Sequence, residues 1–253
     1  MRLPEGVMAS TEAEHPYPRA FMTVSGAHLY GFPSVDSDID LRGVHLLPLE
    51  EVVGLTRGQE TVTWTFDQSG VEIDLVTHDL VKFGQMLLTR NGYVLEQVMS
   101  PLVVESGPMH EELKALVPSL VTRMHAHHYL GFARNQWSLF ERKAELKPLL
   151  YTFRVLLTGV HLMRTGDVVA DLNALAAEYG PAYLPELIEA KRAAEHARLA
   201  ADAPDRDRLG ADVVALTLRL EDERDSSALP EEPPSAGPLN DLVVRTRLAA
   251  SRL

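Results

Sequence analysis

The spacing of hydrophobic positions changes character along the chain, and each change marks an element. Residues 1–20 are polar and broken by Pro4, Pro16 and Pro18, which predicts a loosely ordered lead-in. From Phe21 the period becomes that of strands. Residues 21–24 form a short apolar run ended by Ser25-Gly26, and residues 28–31 suit a brief helical turn. Residues 37–46 read as a second strand in which acids alternate with Ile39 and Leu41. Residues 61–66 and 71–76 are β-branched runs around the polar loop 67–70, a hairpin pattern. Residues 79–90 then switch to helical spacing, with Leu80, Phe83, Leu87 and Leu88 as the apolar stripe.

Beyond Pro101 the strand signal fades. Helical patterns cover residues 110–136, 147–165, 171–178, 184–201 and 212–224, with Gly166 and Gly180 as stops for two of them. Residues 225–238, rich in proline, serine and glutamate, predict a linker. Residues 239–253 form an amphipathic segment that docks back or onto a partner. No internal repeat is present. The pattern predicts an α+β chain: a lead-in (1–20), an α/β domain (21–105), a helical domain (106–224), a linker and a closing segment.

Composition narrows the function classes. The chain has 253 residues, enough for a real core, and no cysteine, which excludes disulfides, thiolate metal sites and cysteine nucleophiles. No apolar run reaches 18 residues and no signal peptide is evident, so a soluble cytoplasmic protein without a membrane partner is the simplest reading. The net charge of −12 argues against a grip on long duplex nucleic acid, although it leaves room for a local basic groove. Part of that charge is local: residues 221–232 hold six acids against one arginine, a solvated segment.

The chemistry concentrates in residues 24–43. Asp38 and Asp40 stand two apart on a predicted strand, so both carboxylates face one side while Ile39 and Leu41 face a core. Mg²⁺ takes carboxylate oxygens plus water, and divalent ions bridge phosphate oxygens in nucleotidyl transfer. Gly26, at the end of the preceding strand, lets backbone approach phosphates. A bare Asp-x-Asp is weak, because exposed strand edges produce it by chance. Strand, glycine turn, helical segment and Asp-x-Asp strand in that order are much more specific.

The run Gly26-Ala27-His28-Leu29-Tyr30-Gly31, followed by Asp36-Ser37-Asp38-Ile39-Asp40-Leu41-Arg42-Gly43, resembles the RNA-ligase-associated predicted nucleotidyltransferases of the polymerase-β superfamily. Their pattern is Gly-Ser-x-x-Tyr-Gly, a spacer, then Ser-Asp-x-Asp-x-Arg-Gly. Asp74, eight residues before Lys82-Phe83, matches the third acid of that family; Asn91, Val94-Leu95-Glu96, Lys147, Arg154 and Gly166 extend the likeness more loosely. The resemblance implies a polymerase-β-like sheet with flanking helices, followed by a helical bundle. It implies transfer of a nucleoside monophosphate from an NTP to an acceptor hydroxyl, with an RNA end as the acceptor. Asp38, Asp40 and Asp74 would hold two Mg²⁺ ions (Mn²⁺ as a substitute), and Asp74 would help deprotonate the acceptor. Ser25, Gly26 and Ala27 would face the triphosphate.

One departure matters. The family places serine directly after the glycine, where this chain has Ala27, and losing one hydrogen bond to a charged group costs about 1.5–3 kcal/mol. Ser25, on the other side of Gly26, is the candidate substitute. A degenerate nucleotide- or partner-binding module is therefore an alternative, as is the same chemistry on a small molecule or protein side chain.

Other residues are weighed against blander roles. Arg42 shares the face of Asp40 and serves equally as a phosphate contact or a partner of Asp74. Glu72 is a fallback for Asp74. Lys82, Asn91 and Glu96 line a nucleotide pocket or cap and solvate helices. Lys147 and Arg154, seven apart on one helix face, reach triphosphate or form bundle surface. Tyr30, Trp64 and Trp137 are better read as packing than as base platforms. Of His125, His127 and His128 only the outer two share a helix face, a poor metal set.

Overall fold

A computed structural model describes residues 3–194, 197–200, 203–233 and 236–250. The chain is α+β, and Cα proximity divides it into two compact units that do not follow sequence order. The first comprises residues 1–26, 38–120 and 233–253; the second comprises residues 27–37 and 121–232.

The first unit is built on five strands: β1 (Arg19–Val24), β2 (Ile39–His45), β3 (Thr61–Gln68), β4 (Val71–Asp79) and β5 (Val103–Glu105). Their order is β3-β4-β2-β1-β5. β2 and β4 run parallel, and the other neighbours are antiparallel. The hairpin turn is tighter than the sequence suggests. Only Ser69 and Gly70 lie between the strands, both at positive φ (58° and 80°), as a twisted two-residue turn demands.

Strand alternation sends Ile39, Leu41, Ile73 and Leu75 to one face, where they join Met22, Val24 and Val7 in a buried cluster. Val7 belongs to α1 (Val7–Glu14), so the lead-in is not loose: its apolar residue is fully buried beneath the sheet. The opposite face carries Phe21, stacked on His110 at 4.2 Å and edge-on to Phe83 at 5.6 Å. These two come from α6 (Pro108–Leu120) and α4 (Leu80–Leu87). Two short helices unmarked by the pattern, α3 (Leu49–Val53) and α5 (Gly92–Val98), complete this part; α2 (Gly26–Tyr30) starts at its edge and passes into the second unit. The closing segment forms α12 (Gly237–Ala250), which docks on α4 and α6; the last three residues lie outside the described residues. Its Arg247 is buried and donates to the Asp79 carboxylate and to Leu47 O (2.7 Å).

The second unit is helical: α7 (Ala126–Lys143), α8 (Leu146–Thr165), α9 (Leu172–Tyr179), α10 (Leu184–Arg192) and α11 (Arg206–Ser226). The pattern over 110–136 predicts one helix, yet α6 and α7 are separate. Extended Thr122 interrupts them, and a 3-10 turn (Arg123–His125) restarts the chain with Thr122 N–H donating to His125 Nδ1 at 3.1 Å. α8 is the hub, buried on nearly every side, and stops at Gly166 with φ 79°. α10 ends at Arg192, short of the predicted 201; residues 195, 196 and 201 of that prediction lie outside the described residues. α11 runs on to Ser226, through the start of the predicted linker, of which residues 234 and 235 are likewise outside.

Burial holds several histidines neutral. His45 is lowered to about 4 by desolvation, with Nε2 donating to Gln59 O at 2.9 Å. Desolvation also lowers His128 to about 4 and depresses His15, His78, His110 and His125. Between pH 6.5 and 4 the unfolded chain takes up protons that folded His45 and His128 refuse. Stability is therefore full above pH 6.5 and falls below it, by up to about 1.4 kcal/mol per pH unit for each such group. Urea denaturation at pH 7.5 and pH 5 should show a clearly lower midpoint at pH 5; equal midpoints would contradict this account.

Candidate active site

The parallel pairing of β2 with β4 sets Asp40 directly beside Asp74. Both sit on the sheet face opposite the α1 cluster, because their neighbours Ile39, Leu41, Ile73 and Leu75 fill that cluster. Two carboxylates side by side repel unless a cation intervenes. Arg42 supplies it. Its Nη2 donates to Asp40 Oδ1 and, at 2.8 Å, to Asp74 Oδ2; Nη1 donates to Leu41 O (2.9 Å) and Asp74 O (2.6 Å). Nε donates to the Tyr93 hydroxyl at 2.7 Å. All five N–H groups of the guanidinium are thereby engaged. Burial alone would lower the Arg42 pKa, but Tyr93 and Asp40 outweigh it and the net shift is upward. Arg42 thus bridges the two strands through both acids.

Tyr93 begins α5, whose N-cap is Asn91, accepting from Tyr93 N–H at 3.1 Å. Burial raises the Tyr93 pKa, so it stays a neutral phenol beside Arg42. Sequence reasoning missed this residue, since nothing local links it to a strand 51 positions earlier. Asn91, expected to cap or to line a pocket, caps.

Asp38 lies just before β2, half-buried. Ser25 N–H donates to Asp40 O at 2.9 Å, which fixes the turn after β1 against β2. The Ser25 hydroxyl is buried beside the Tyr93 phenol. Gly26 follows with φ 61°, and a Cβ there would overlap Asp40 Oδ2. Gly26→Ala should therefore both strain the backbone, by about 1–2 kcal/mol from φ alone, and push Asp40 off its position. The expected result is a lowered unfolding midpoint; an unchanged midpoint would mean that the turn relaxes.

Other predicted residues are placed differently. Lys82 donates to Thr61 Oγ1 at 2.6 Å, bracing α4 against β3. Glu96 is buried and Glu72 is exposed. Ala27 is buried in the second unit, as is Arg154, whose guanidinium lies 3.8 Å from the Tyr30 ring centroid. Lys147 is half-exposed and lines a shallow groove with Gln136, Lys143 and Tyr151. His125 is buried and His127 exposed, and Trp64 and Trp137 are half-exposed rather than core. Among the described residues, no three His, Asp or Glu side chains converge to hold a metal. The Asp40–Asp74 pair nonetheless suits a hard cation, since Mg²⁺ needs only one or two carboxylates when water and phosphate oxygens complete its shell.

Residues 5–245 match the RNA repair pathway DNA polymerase beta family. The chain belongs to that family. Its α+β fold is the one expected of that family. An uncharacterised protein of Methanocaldococcus jannaschii is 29% identical over 160 residues, 61% of this chain and 64% of its own length, so the match spans a little under two thirds of that relative. A nucleotidyltransferase-like protein from Exiguobacterium sibiricum is 13% identical, with a TM-score of 0.33 over 87% of this chain and 72% of that one. Among the described residues, no helix is long and apolar enough to cross a membrane.

Proposed function

We propose that this family member moves a nucleoside monophosphate from an NTP to the terminal hydroxyl of an RNA, releasing pyrophosphate in the cytoplasm. The observation that carries the reading is the direct pairing of Asp40 with Asp74 on parallel strands, with Gly26 closed against Asp40. Asp40 and Asp74, with Asp38 at the strand entrance, are the residues to hold Mg²⁺, or Mn²⁺ in its place. The bound ions would supply charge neutralisation at the triphosphate and orient the acceptor oxygen. Ser25 and the backbone of Gly26 and Ala27 face the phosphates, so Ser25 takes the part that serine plays after the glycine elsewhere in the family. Asp74 accepts the proton of the attacking hydroxyl as the P–O bond forms. Arg42 keeps both acids in place throughout. Arg154, stacked on Tyr30, supports the segment that follows the Gly26 turn.

The test is incubation of the protein with each NTP radiolabelled at the α-phosphate, Mg²⁺ or Mn²⁺, and total RNA. An Asp38→Asn/Asp40→Asn variant runs beside it. Label on RNA with the wild type alone is the expected result, and it names the base. Label on protein or on a small molecule would keep the chemistry and move the acceptor. Absence of transfer to any of these would overturn the reading.

A further inference from the structure

The eleven residues between Gly26 and Asp38 belong to the helical unit, although both flanking residues belong to the sheet-bearing one. Within the helical unit that segment is gripped along its length. Gly31 O accepts from Asn173 Nδ2 at 2.9 Å and from Arg192 Nη2 at 2.6 Å. Gly31 sits at φ 85°, and a Cβ there would collide with the Asn173 and Asp171 side chains. Three residues on, Lys191 donates to Ser34 Oγ at 3.0 Å. Ser34 N–H in turn donates to Ser37 Oγ at 2.9 Å, one residue before Asp38. At the other end, Arg154 covers the Tyr30 ring, and Phe32 N–H closes back on Ala27 O at 3.1 Å.

Lys191 is the telling member. It is fully buried, a place where an ammonium group is costly and a methionine would pack more cheaply. It is also adjacent in sequence to Arg192, so the end of α10 reaches the segment at two points. We propose that Lys191 and Arg192 are positioning residues for the NTP. By fixing residues 27–37 they set the path of the chain out of the Gly26 turn and back into Asp38. This rests on the functional reading above, which assigns the Gly26 turn to the triphosphate.

The experiment uses the full chain and two variants, Lys191→Met, which keeps the volume, and Asn173→Ala, which removes an exposed side chain that grips Gly31 O. Hydrogen exchange should show lost protection in residues 27–37, with β2 and β4 still protected. In the transfer assay KM for NTP should rise about tenfold, with kcat changed less than about threefold. A purely structural role would lower the unfolding midpoint without that KM-against-kcat split. Wild-type transfer with unchanged KM in both variants overturns the positioning role and leaves the functional reading intact. Unchanged exchange in residues 27–37 overturns the clamp itself. A wild type that transfers nothing, with exchange altered as expected, fails the functional reading and leaves the clamp standing.

Discussion

Asp40→Asn and Asp74→Asn should each lower nucleotidyl transfer by about a thousandfold or more, equivalent to roughly 4 kcal/mol of transition-state stabilisation. Each removes one of two paired carboxylates, and with it the charge that would hold the divalent ion at the triphosphate. The double variant should be little worse than either single one, because groups that act as a unit do not add. The folded state should survive. Each substitution relieves like-charge repulsion across the β2–β4 pair while the partner acid still engages Arg42. Steady-state rates alongside circular dichroism would check both halves. Either variant retaining more than a tenth of wild-type activity would remove the acids from the chemistry.

Arg42→Gln should behave in the opposite order, with stability lost first. Arg42 is 8% exposed and stands between Asp40 and Asp74, whose side chains are 19% and 30% exposed. Removing one partner from a buried ion cluster costs about 3–5 kcal/mol, and the partial exposure of the acids here places the loss nearer 3. The phenol of Tyr93 also loses the N–H that it accepts. Mn²⁺ should restore part of the loss, since a divalent ion between the acids replaces the missing positive charge. Chemical denaturation in chelator and in Mn²⁺ reads this directly. Wild-type stability in chelator, or equal metal response in both proteins, would show that the guanidinium does not carry the site.

How much of this was legible in the sequence depended on the reach of the signal. The Asp38-Ile39-Asp40-Leu41 alternation places carboxylates on one face from local geometry, and strand period alone buries Ile39 and Leu41 as observed. The neighbouring of Asp40 with Asp74 was not legible, because a parallel register is set by the sheet and not by either strand. Arg42 stood between two roles for the same reason: its partners come from β4 and α5. Arg154 and Lys191 look like any basic residue of an amphipathic helix, and only tertiary packing shows them buried. The lead-in misled because prolines on either side hide an eight-residue helix anchored by two fully buried side chains, Val7 and Thr11.

The attachment of α12 to the sheet carries a consequence for biosynthesis. Residues 121–232, with the short 27–37 segment, form one unit, while the sheet-bearing unit gains its last helix only when residues 237–250 arrive and Arg247 reaches Asp79. On the ribosome, where chains emerge at about 5–20 residues per second, the helices of the second unit can pack several seconds before the first unit is finished. Asp79, buried at the end of β4, keeps the Leu47 and Val81 N–H groups through that interval but lacks its counter-ion, so a nascent chain halted before Arg247 holds an acid without its cation at the far end of the strand that bears Asp74.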